Sequence, residues 1–468
     1  MNLTKCKLGE LVDVTRGMSL SGQYYSEKGE LIRLTLGNFN MNGGGFKKNT
    51  SKSDLYFTGP VREEFILKKG DIITPLTEQS LGLLGTTARI PESGKYIQSQ
   101  DVALVRCKPG KIAPNFCYYL VSSHSVKQQL SAAAQQTKIR HTSPEKIMNC
   151  TVWVPELQEQ ERIGALLTAI DSKIELNCSI NRNLEALAKQ LYDYWFVQFD
   201  FPDENGRPYK SSGGKMVWNE KLKRNIPQNW ECVKIQEIAK TYSGGTPTSS
   251  KSEYYENGAV PWINSGELNN AYITNTSNFI TELGLKESSA KIYPKNTILV
   301  ALYGATAGKV SFLTFEACSN QAVCGVMLEN PLMVNYTRFY LSNLLDYYIL
   351  LSSGSARDNI SQDTIKNTWF IKPDYEILNA FDQICQKTTQ LIVVNQIEID
   401  NLTKQRDELL PLLMNGQVEV KQLNSDFHDN PFVRMGLCLQ WALLHHHRHC
   451  RPQKVVRRCP SLRYFVSA

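Results

Sequence analysis

Residues 304–310, GATAGKV, are the stretch of this chain that comes nearest to a catalytic loop. A phosphate-binding P-loop has four residues between its glycines, followed by Lys and by a Ser or Thr that ligates magnesium. Here three residues separate the glycines, and Val310 follows Lys309. The related loop GLLGTTA, at 82–88, has no lysine. Both loops are therefore predicted to be glycine turns between strands rather than nucleotide sites.

Other enzyme motifs also fail on their spacing. An adenine methyltransferase needs an Asn/Asp-Pro-Pro-aromatic motif, and the nearest string, DNPF at 429–432, lacks the second proline. DSK at 171–173 has the residue types of a metal-dependent nuclease, but it falls on a predicted helix and is expected to be a solvated charge pair. The run LLHHHRHC at 443–450, with Cys438 and Cys459, matches no closed zinc module. The sequence thus predicts a binding subunit, with no catalytic residue, metal or cofactor of its own.

Composition places the chain among ordinary globular proteins. Its 468 residues, 42% hydrophobic and 21% charged, suggest two or three domains. No run of about 18 apolar residues is present, so no membrane partner is expected. The stretch MNLTKCKLGE lacks the basic-then-apolar pattern of a signal peptide. Twelve cysteines without a CxxC pair are typical of reduced thiols, and a cytoplasmic location is predicted.

The net charge of +7 suggests a nucleic-acid partner, but its distribution weakens that argument. Residues 421–468 contain eight Lys or Arg and two Asp, so they carry six of the seven net charges. The rest of the chain is nearly neutral. Any DNA binding by this body must therefore depend on local basic patches rather than on global charge.

The body of the chain repeats itself about half a chain apart, with five patterns in the same order. The pairs are KCKLGELVDVTRGMS with WECVKIQEIAKTYSGGTP, LIRLTLGNFNMNGG with VPWINSGELNNAYI, SLGLLGTTARI with LYGATAGKVSF, QSQDVALVRCKPG with CSNQAVCGVMLEN, and KIRHTSPEKIMNCTVWVP with NISQDTIKNTWFIKP. Gln100 aligns with Gln321, and Val102 with Val323. The pattern predicts two similar strand-rich globules of the α+β class, each with one helix near its end, at 115–130 and 334–351.

Each repeat is followed by a heptad pattern, which predicts a long coiled-coil helix. Asn177 and Asn395 fall at matching seam positions, where a buried Asn fixes register and orientation at some cost in stability. The stretch FPDENGRPYKSSGG, at 201–214, is polar and turn-rich and is expected to belong to a linker. The predicted seam positions are Ile163, Leu167, Ile170, Ile174, Asn177, Asn181, Leu184, Ala188 and Leu191, and then Phe381, Cys385, Thr388, Ile392, Asn395, Ile399, Leu402, Arg406 and Leu409.

Three stretches resemble the specificity subunit of type I restriction–modification systems. The sequence VPELQEQERIGALLTAIDSKIELNCSINRNLEALAKQLYDYWFVQFD, at 154–200, looks like the central conserved region of that family. LIVVNQIEIDNLTKQRDELLPLLMNGQVEV, at 391–420, is similar to its distal conserved region. SGGTP, at 243–247, matches a loop common in its recognition domains. The resemblance covers about 1–420 and leaves out the tail.

The resemblance implies an α+β protein in which two similar target recognition domains are joined by two long antiparallel coiled-coil helices, as a pseudo-two-fold internal repeat. The implied boundaries are target recognition domain 1 at 1–155, the central helix at 156–200, a linker at 201–229, target recognition domain 2 at 230–375, the distal helix at 376–420, and an atypical, disordered tail at 421–468.

In that family each recognition domain reads one half of a bipartite, asymmetric DNA sequence, and the helices act as a ruler that sets the gap between the halves. The implied partners are double-stranded DNA, two modification subunits and two restriction subunits. The modification subunits would methylate adenine with S-adenosylmethionine, and the restriction subunits would translocate and cleave DNA with ATP and Mg2+. The specificity subunit is itself no enzyme and binds none of these cofactors.

The loops of each globule carry the side chains that DNA reading requires. Arg or Lys suits guanine, Asn or Gln suits adenine, and hydroxyls or cations suit phosphates. Tyrosine pairs at 24–25 and 254–255 could line the groove or stack on a displaced base. The predicted DNA contacts are Thr77, Gln79, Ser80, Gln100, Lys138 and Arg140 in the first globule, with Glu78 and His141 in the same stretches, and Tyr303, Thr306, Lys309, Gln321, Arg357 and Asn359 in the second.

Two other interpretations stay open. A non-catalytic pseudo-dimeric scaffold could bind protein partners through its globules without sequence-specific DNA recognition. A stand-alone restriction enzyme is disfavoured by the missing motifs. Methylated bases in the DNA of a host that expresses the chain with its modification partner would separate the scaffold from a specificity subunit.

Overall fold

Short apolar runs bounded by Gly, Pro and Asn form the strands of this chain, and the two heptad stretches form its longest helices. The computed structural model describes residues 2–40, 44–50, 52–78, 82–133, 140–304, 306–352 and 360–420, with the backbone only for 345–352. The predicted tail at 421–468, with its DNPF string and its His and Cys run, lies outside the described residues.

Two compact units divide the chain. One contains residues 1–165 together with the segment from 411, and the other contains 166–410. Each long helix therefore contributes residues to both units.

The first globule is a mixed α+β fold built on a four-stranded sheet in the order β2-β10-β6-β8 and a second one in the order β3-β5-β4-β9, with two short strand pairs, β1-β12 and β11-β7. Its strands are β1 (Thr4–Lys7), β2 (Val12–Arg16), β3 (Tyr25–Ser26), β4 (Leu31–Arg33), β5 (Tyr56–Phe57), β6 (Ile72–Pro75), β7 (Thr77–Glu78), β8 (Ala88–Arg89), β9 (Tyr96–Ile97), β10 (Val102–Cys107), β11 (Arg140–His141) and β12 (Thr151–Val154). Its helices are α1 (Pro114–Val121), α2 (His124–Ala133) and α3 (Pro144–Met148).

Two helices stand where one was predicted near the end of the first globule. The prediction of a single helix over 115–130 is wrong because Ser122 and Ser123 interrupt it. Ser122 ends α1, and the Ser123 hydroxyl accepts the N–H of Val126 at the start of α2. Serine side chains compete with the helix for backbone groups and so favour such caps.

The central helix, α4 (Leu157–Tyr192), continues into a π-helical turn at Asp193–Val197. The segment that follows, expected to be a polar linker, contains a β-hairpin of β13 (Met216–Asn219) and β14 (Arg224–Pro227). Phe201 stacks on Tyr209 and on Trp230, with ring centroids 4.6 and 5.0 Å apart. The sequence pattern missed the hairpin because the apolar residues of this segment, including these stacked aromatic rings, are scattered rather than periodic.

The second globule has a five-stranded sheet in the order β16-β23-β20-β21-β18, a three-stranded sheet in the order β19-β17-β22, and the pair β15-β24. Its strands are β15 (Glu231–Lys234), β16 (Ala239–Ser243), β17 (Val260–Ile263), β18 (Tyr272–Ile273), β19 (Phe279–Ile280), β20 (Ile298–Ala301), β21 (Val310–Leu313), β22 (Cys318–Ser319), β23 (Val323–Leu328) and β24 (Trp369–Lys372). Its helices are α5 (Glu282–Lys286), α6 (Met333–Ser352) and α7 (Gln362–Asn367), and α8 (Tyr375–Met414) follows.

The two globules share hydrogen bonds as well as sequence patterns. The N–H of Gly17 donates to the carbonyl of Val102 at 3.3 Å, and the N–H of Gly244 donates to the carbonyl of Val323 at 2.9 Å. Strands β1 and β12 pair antiparallel, as do β15 and β24. The predicted internal repeat and the α+β class are therefore confirmed.

Within the unit of residues 166–410, α4 and α8 pack antiparallel. Asn181 lies opposite Asn395, whose amide donates to the Asn181 side-chain oxygen at 3.0 Å. One end of the pair is marked by the ion pair of Asp171 with Arg406, at 2.9 Å. Toward the other end the ring of Tyr192 meets that of Phe381. Residue numbers thus rise along one helix as they fall along the other.

DSK, at 171–173, is not the solvated intrahelical charge pair that the sequence suggested. Asp171 binds Arg406 on α8, and the Lys173 ammonium lies 3.4 Å from the Glu398 carboxylate. Glu398 also accepts a 2.7 Å hydrogen bond from the Asn177 amide. Both charges of the motif therefore join the two helices.

In the part of the chain that the structure describes, no helix has the length and hydropathy needed to cross a membrane.

Candidate nucleic-acid interface

The interface candidate is one end of the main sheet in each globule. In the first globule β2 ends at Arg16 opposite Ala103, near the start of β10, and Val102 on β10 pairs with Pro75 at the end of β6. The N–H of Leu76 then donates to the carbonyl of Asp101. Since antiparallel strands alternate direction, the loops after β2 and β6 and before β10 meet at this end.

The second globule builds the same end with the same bonds. Val323, at the start of β23, pairs with Ala301, at the end of β20. The N–H of Leu302 donates to the carbonyl of Ala322, and the N–H of Ile360 donates to the carbonyl of Leu302. Residues Thr77 and Tyr303 therefore occupy equivalent backbone positions, as do Gln100 and Gln321.

A glycine is required where the strand β2 or β16 turns into the interface. A Cβ on Gly17 would collide with the carbonyl oxygens of Gln98 and Ser99, and a Cβ on Gly244 would collide with those of Ser319 and Asn320. Only glycine tolerates so close a backbone approach. The loop after each strand is thereby held against the turn that carries Gln100 or Gln321.

In the first globule the predicted contacts divide by exposure. Gln100 is exposed at the turn before β10, whereas the Thr77 side chain is buried on β7. Arg140, on β11, faces Glu78 across the β7–β11 pair, and its guanidinium lies 3.2 Å from that carboxylate. Gln79, Ser80 and Lys138 lie outside the described residues, so their DNA contacts stay predictions.

In the second globule Lys309 and Gln321 are exposed, Tyr303 is half-buried and the Thr306 side chain is buried. Thr306 instead shapes the loop, because its carbonyl accepts the N–H of Lys309 at 2.9 Å. The hydroxyl of Thr246, in the SGGTP loop, donates to the side-chain oxygen of Gln321. Since that oxygen is engaged, the exposed Gln321 amide group remains to act as a donor. Arg357 and Asn359 lie outside the described residues.

The tyrosine pairs support the loops more than they face solvent. The hydroxyl of Tyr25 donates to the carbonyl of Leu20 at 3.2 Å, and that of Tyr255 donates to the carbonyl of Pro247 at 2.6 Å. Each second tyrosine thus fastens the loop that precedes it. Tyr254 is buried, and Tyr24 is partly exposed with its ring edge against Phe57.

Tyr293, a buried tyrosine that the sequence analysis did not single out, binds the end of β16 and the strand β22 that leads into the Gln321 turn. The hydroxyl of Tyr293 donates to the carbonyl of Tyr242 at 3.2 Å and lies 3.1 Å from the Ser319 hydroxyl. Burial raises the pKa of Tyr293 to about 12, so the phenol stays a neutral donor. Its ring occupies the space that a side chain at Gly325 would need.

Two basic side chains of the first globule lie near the predicted contacts or their loops but were not among the predicted contacts. Arg16 is exposed at the end of β2 and lies at the interface end. The sequence analysis did not single it out, although its position just before Gly17 could have indicated that it lies there. Lys127, on α2, packs half-buried beside Gly85, and burial lowers the pKa of its ammonium. Among the described residues no three His, Cys, Asp or Glu side chains are grouped to hold a metal ion.

Comparison with known proteins connects this geometry to a family. A sequence model of the type I restriction modification DNA specificity domain matches residues 2–186 and 227–401. The chain is 26% identical over 318 residues to the specificity subunit of the type I restriction enzyme MjaIX of Methanocaldococcus jannaschii, a match that covers 67% of this chain and 71% of that protein. It is 23% identical over 411 residues to the specificity subunit of the type I restriction enzyme HindI of Haemophilus influenzae, covering 77% and 89%.

A solved structure has the same fold. The crystal structure of the type I restriction–modification S subunit from M. genitalium superposes with a TM-score of 0.55 at 18% identity, over 88% of this chain and 96% of that one. The family model matches both globules and much of both long helices. This chain therefore belongs to the family of type I restriction–modification specificity subunits.

Proposed function

We propose that this chain is the DNA-binding specificity subunit of a type I complex, which recognises a bipartite, asymmetric DNA sequence and directs adenine methylation or cleavage by partner subunits. Target recognition domains at 1–155 and 230–375 would each read one half-site, and the helices between them would set the gap. Methyl transfer and cleavage are assigned to modification subunits that use S-adenosylmethionine and to restriction subunits that use ATP and Mg2+.

One observation carries this proposal. Two globules with the same hydrogen-bond pattern present different side chains at equivalent exposed or half-exposed positions of the interface end, such as Arg16 where the second globule has Ser243. Base reading depends on side-chain donors and acceptors, while the backbone fixes where they are held. Two globules with the same backbone framework but different side chains at the interface end suit a DNA site whose two halves differ in sequence. Gln100, Lys309 and Gln321 are the described side chains best placed for direct contact.

The partner surface proposed for the modification subunits is an apolar face on α8. Ile384, Leu391, Val394 and Ile397 are between 46% and 63% exposed, and they follow one another at intervals of seven, three and three residues. This spacing places them on one face of the helix, beside the seam with α4. An exposed apolar helix face of this length is typical of a protein–protein interface.

Substitution on this face tests the docking proposal. Val394→Glu should prevent co-purification of the modification subunit, because a charge would be buried in the interface. Ile292→Glu, at an apolar position of the second globule that is 49% exposed, is the control and should assemble normally. Assembly of the Val394→Glu chain at wild-type affinity would move the docking surface elsewhere.

The DNA-reading proposal is tested by sequencing methylated bases in host DNA. A host that expresses this chain with its modification partner should acquire methyladenine within a motif of two fixed halves and an unspecified gap. The same host with the modification subunit alone should not. An assembled complex that leaves the genome unmodified and binds DNA without sequence preference would favour the scaffold alternative.

A further inference from the structure

A buried carboxylate organises the interface loop of the first globule. Glu78 is 2% exposed, and its Oε2 accepts the backbone N–H groups of Gly82, Leu83 and Leu84 at 3.2, 3.0 and 3.0 Å. A buried carboxylate is costly unless hydrogen bonds and an opposite charge satisfy it. Three N–H donors in a row therefore fasten the returning chain to the residue from which the loop departs.

The opposite charge comes from Arg140. Its guanidinium lies 3.2 Å from Oε1 of Glu78, and it also donates to the hydroxyl of Ser131, at the end of α2, at 3.0 Å. The same group donates to the Ser131 carbonyl. Both terminal nitrogens of Arg140 thus bind protein partners and its side chain is only 19% exposed, so it is placed to hold the globule together rather than to reach DNA.

The pair stands at the base of two stretches that are predicted to touch DNA. Gln79 and Ser80 follow Glu78 directly in the sequence, and Lys138 precedes Arg140 by two residues. The β7–β11 pairing aligns Glu78 with Arg140, so one ion pair joins the residue that precedes Gln79 to the strand that follows Lys138. A movement of this pair would move both sets of predicted contacts.

The second globule has no carboxylate at the position of Glu78. Tyr303 and Gly304 occupy the places of Thr77 and Glu78, and Gly304 has a φ of +84°, which favours glycine. Its loop closes through backbone bonds instead, with the N–H of Gly308 donating to the carbonyl of Ala301 at 2.7 Å. The two globules therefore fix equivalent loops by different means.

We propose that Glu78 and Arg140 are positioning residues for the first half-site: the ion pair and its three N–H bonds hold the loops that read that half, without touching DNA themselves. This inference rests on the proposed function. Because Gly304 stands at the position of Glu78 in the second globule, loss of the pair should affect reading of the first half-site only.

The test uses the full chain in complex with its modification subunit. Glu78→Gln keeps the shape of the side chain but removes its charge and one of its two acceptor oxygens. Methylation kcat/KM is measured on duplexes that carry single-base changes in either half. Discrimination in the first half should fall about tenfold or more, the size of one lost base-reading contact. Discrimination in the second half should stay as in the wild type.

A matched control and a second variant make the result specific. Asp71→Asn removes another loop carboxylate of the first globule, which accepts the N–H of Lys68 at the far end of β6, and should leave selectivity unchanged. Arg140→Met, if Glu78→Gln does not fold, should also relax the first half alone. Arg140→Lys, which keeps the charge, should restore part of the discrimination.

Hydrogen exchange without DNA separates this inference from the proposed function. The amides of Gly82, Leu83 and Leu84 should exchange faster in Glu78→Gln than in the wild type, whatever the chain binds. Faster exchange with unchanged first-half discrimination would overturn the inference, and so would equal losses in both halves. A wild-type complex that prefers no base in either half would instead refute the proposed function, and the inference with it.

Discussion

At the scale of single residues, exposure divides the predicted DNA contacts that the structure describes into an exposed and a buried group. Gln100, Lys309 and Gln321 are exposed at the interface end, while Thr77 and Thr306 are buried beneath it. Residue type alone predicted all five, because hydroxyls, amides and ammonium groups all suit DNA. The sequence could not show which of these groups the protein itself would enclose.

Lys309→Ala should weaken DNA binding of the assembled complex several-fold, because an exposed ammonium at this end is placed to contact a phosphate. The slope of log affinity against log salt concentration should become shallower by about 0.9, the value for one phosphate contact on duplex DNA. Fluorescence anisotropy of a labelled cognate duplex over a range of salt concentrations measures both quantities.

Lys295→Ala is the matched control, since Lys295 is an exposed lysine that precedes β20 and so lies at its other end. It should leave affinity and salt slope as in the wild type. Equal effects of the two substitutions would mean that Lys309 acts through the overall charge of the globule rather than through a local contact.

At the scale of elements, the heptad pattern predicted both long helices and placed Asn residues in their seam. Asn177 and Asn395 matched by position in the repeat, but the partner of Asn395 is Asn181, and Asn177 binds Glu398. The antiparallel direction causes this difference, because equivalent residues of the two repeats do not meet when the helices run in opposite directions. Heptad spacing therefore predicts which residues of each helix lie in the seam, but it does not predict which residue of the other helix each one contacts.

Single and double substitution of the Asn181–Asn395 pair should affect stability differently. Asn181→Leu should lower the free energy of unfolding by about 1–2 kcal/mol, because Asn395 loses the oxygen that accepts its amide. Asn181→Leu with Asn395→Leu should recover that loss or exceed the wild type, since an apolar seam needs no partner. Urea unfolding of the wild type and of both variants measures the differences. A double variant that is less stable than the single one would contradict this account of the seam.

Contact between the second globule and the helix α4 depends on Arg338. The Arg338 side chain is buried, and its guanidinium lies 2.7 Å from the Glu185 carboxylate. The same carboxylate accepts a hydrogen bond from the Tyr272 hydroxyl at 3.0 Å. Arg338→Met should lower the free energy of unfolding by about 3 kcal/mol, because breaking a buried pair leaves the other charge uncompensated.

Urea unfolding followed by circular dichroism measures this loss. Lys372→Met is the comparison, because it breaks the exposed pair with Glu231 and should cost less than about 1 kcal/mol. Similar losses for the two variants would show that burial does not set the strength of the Arg338 pair.

At the scale of the whole molecule, the order of the repeated patterns predicted the two α+β globules, because the same strands recur with the same turns. The β-hairpin in 201–229 and the split between α1 and α2 escaped prediction. The aromatic residues that stack beside the hairpin, Phe201, Tyr209 and Trp230, are scattered rather than periodic, and two serines suffice to divide a helix. The Glu78–Arg140 pair also escaped prediction, since its members are far apart in sequence and only the β7–β11 pairing brings them together.

The equivalence of the two frameworks supports a prediction about the whole recognition site. Thr4 pairs with Val154 at the margin of the first globule, and Glu231 pairs with Lys372 at the margin of the second. Replacing residues 4–154 by 231–372 should therefore join matching strand ends. If each globule reads its own half-site, this chimera should direct methylation to a site built from two copies of the second half.

Methylated-base sequencing of host DNA reads the outcome, and the reciprocal chimera, with 4–154 in place of 231–372, should yield two copies of the first half. Circular dichroism and co-purification with the modification subunit establish that each chimera is folded and assembled. A folded chimera that still methylates the original asymmetric motif would place base reading outside the globules. A symmetric motif in both chimeras would show that each half-site is read by one globule alone, because nothing else in the chain has changed.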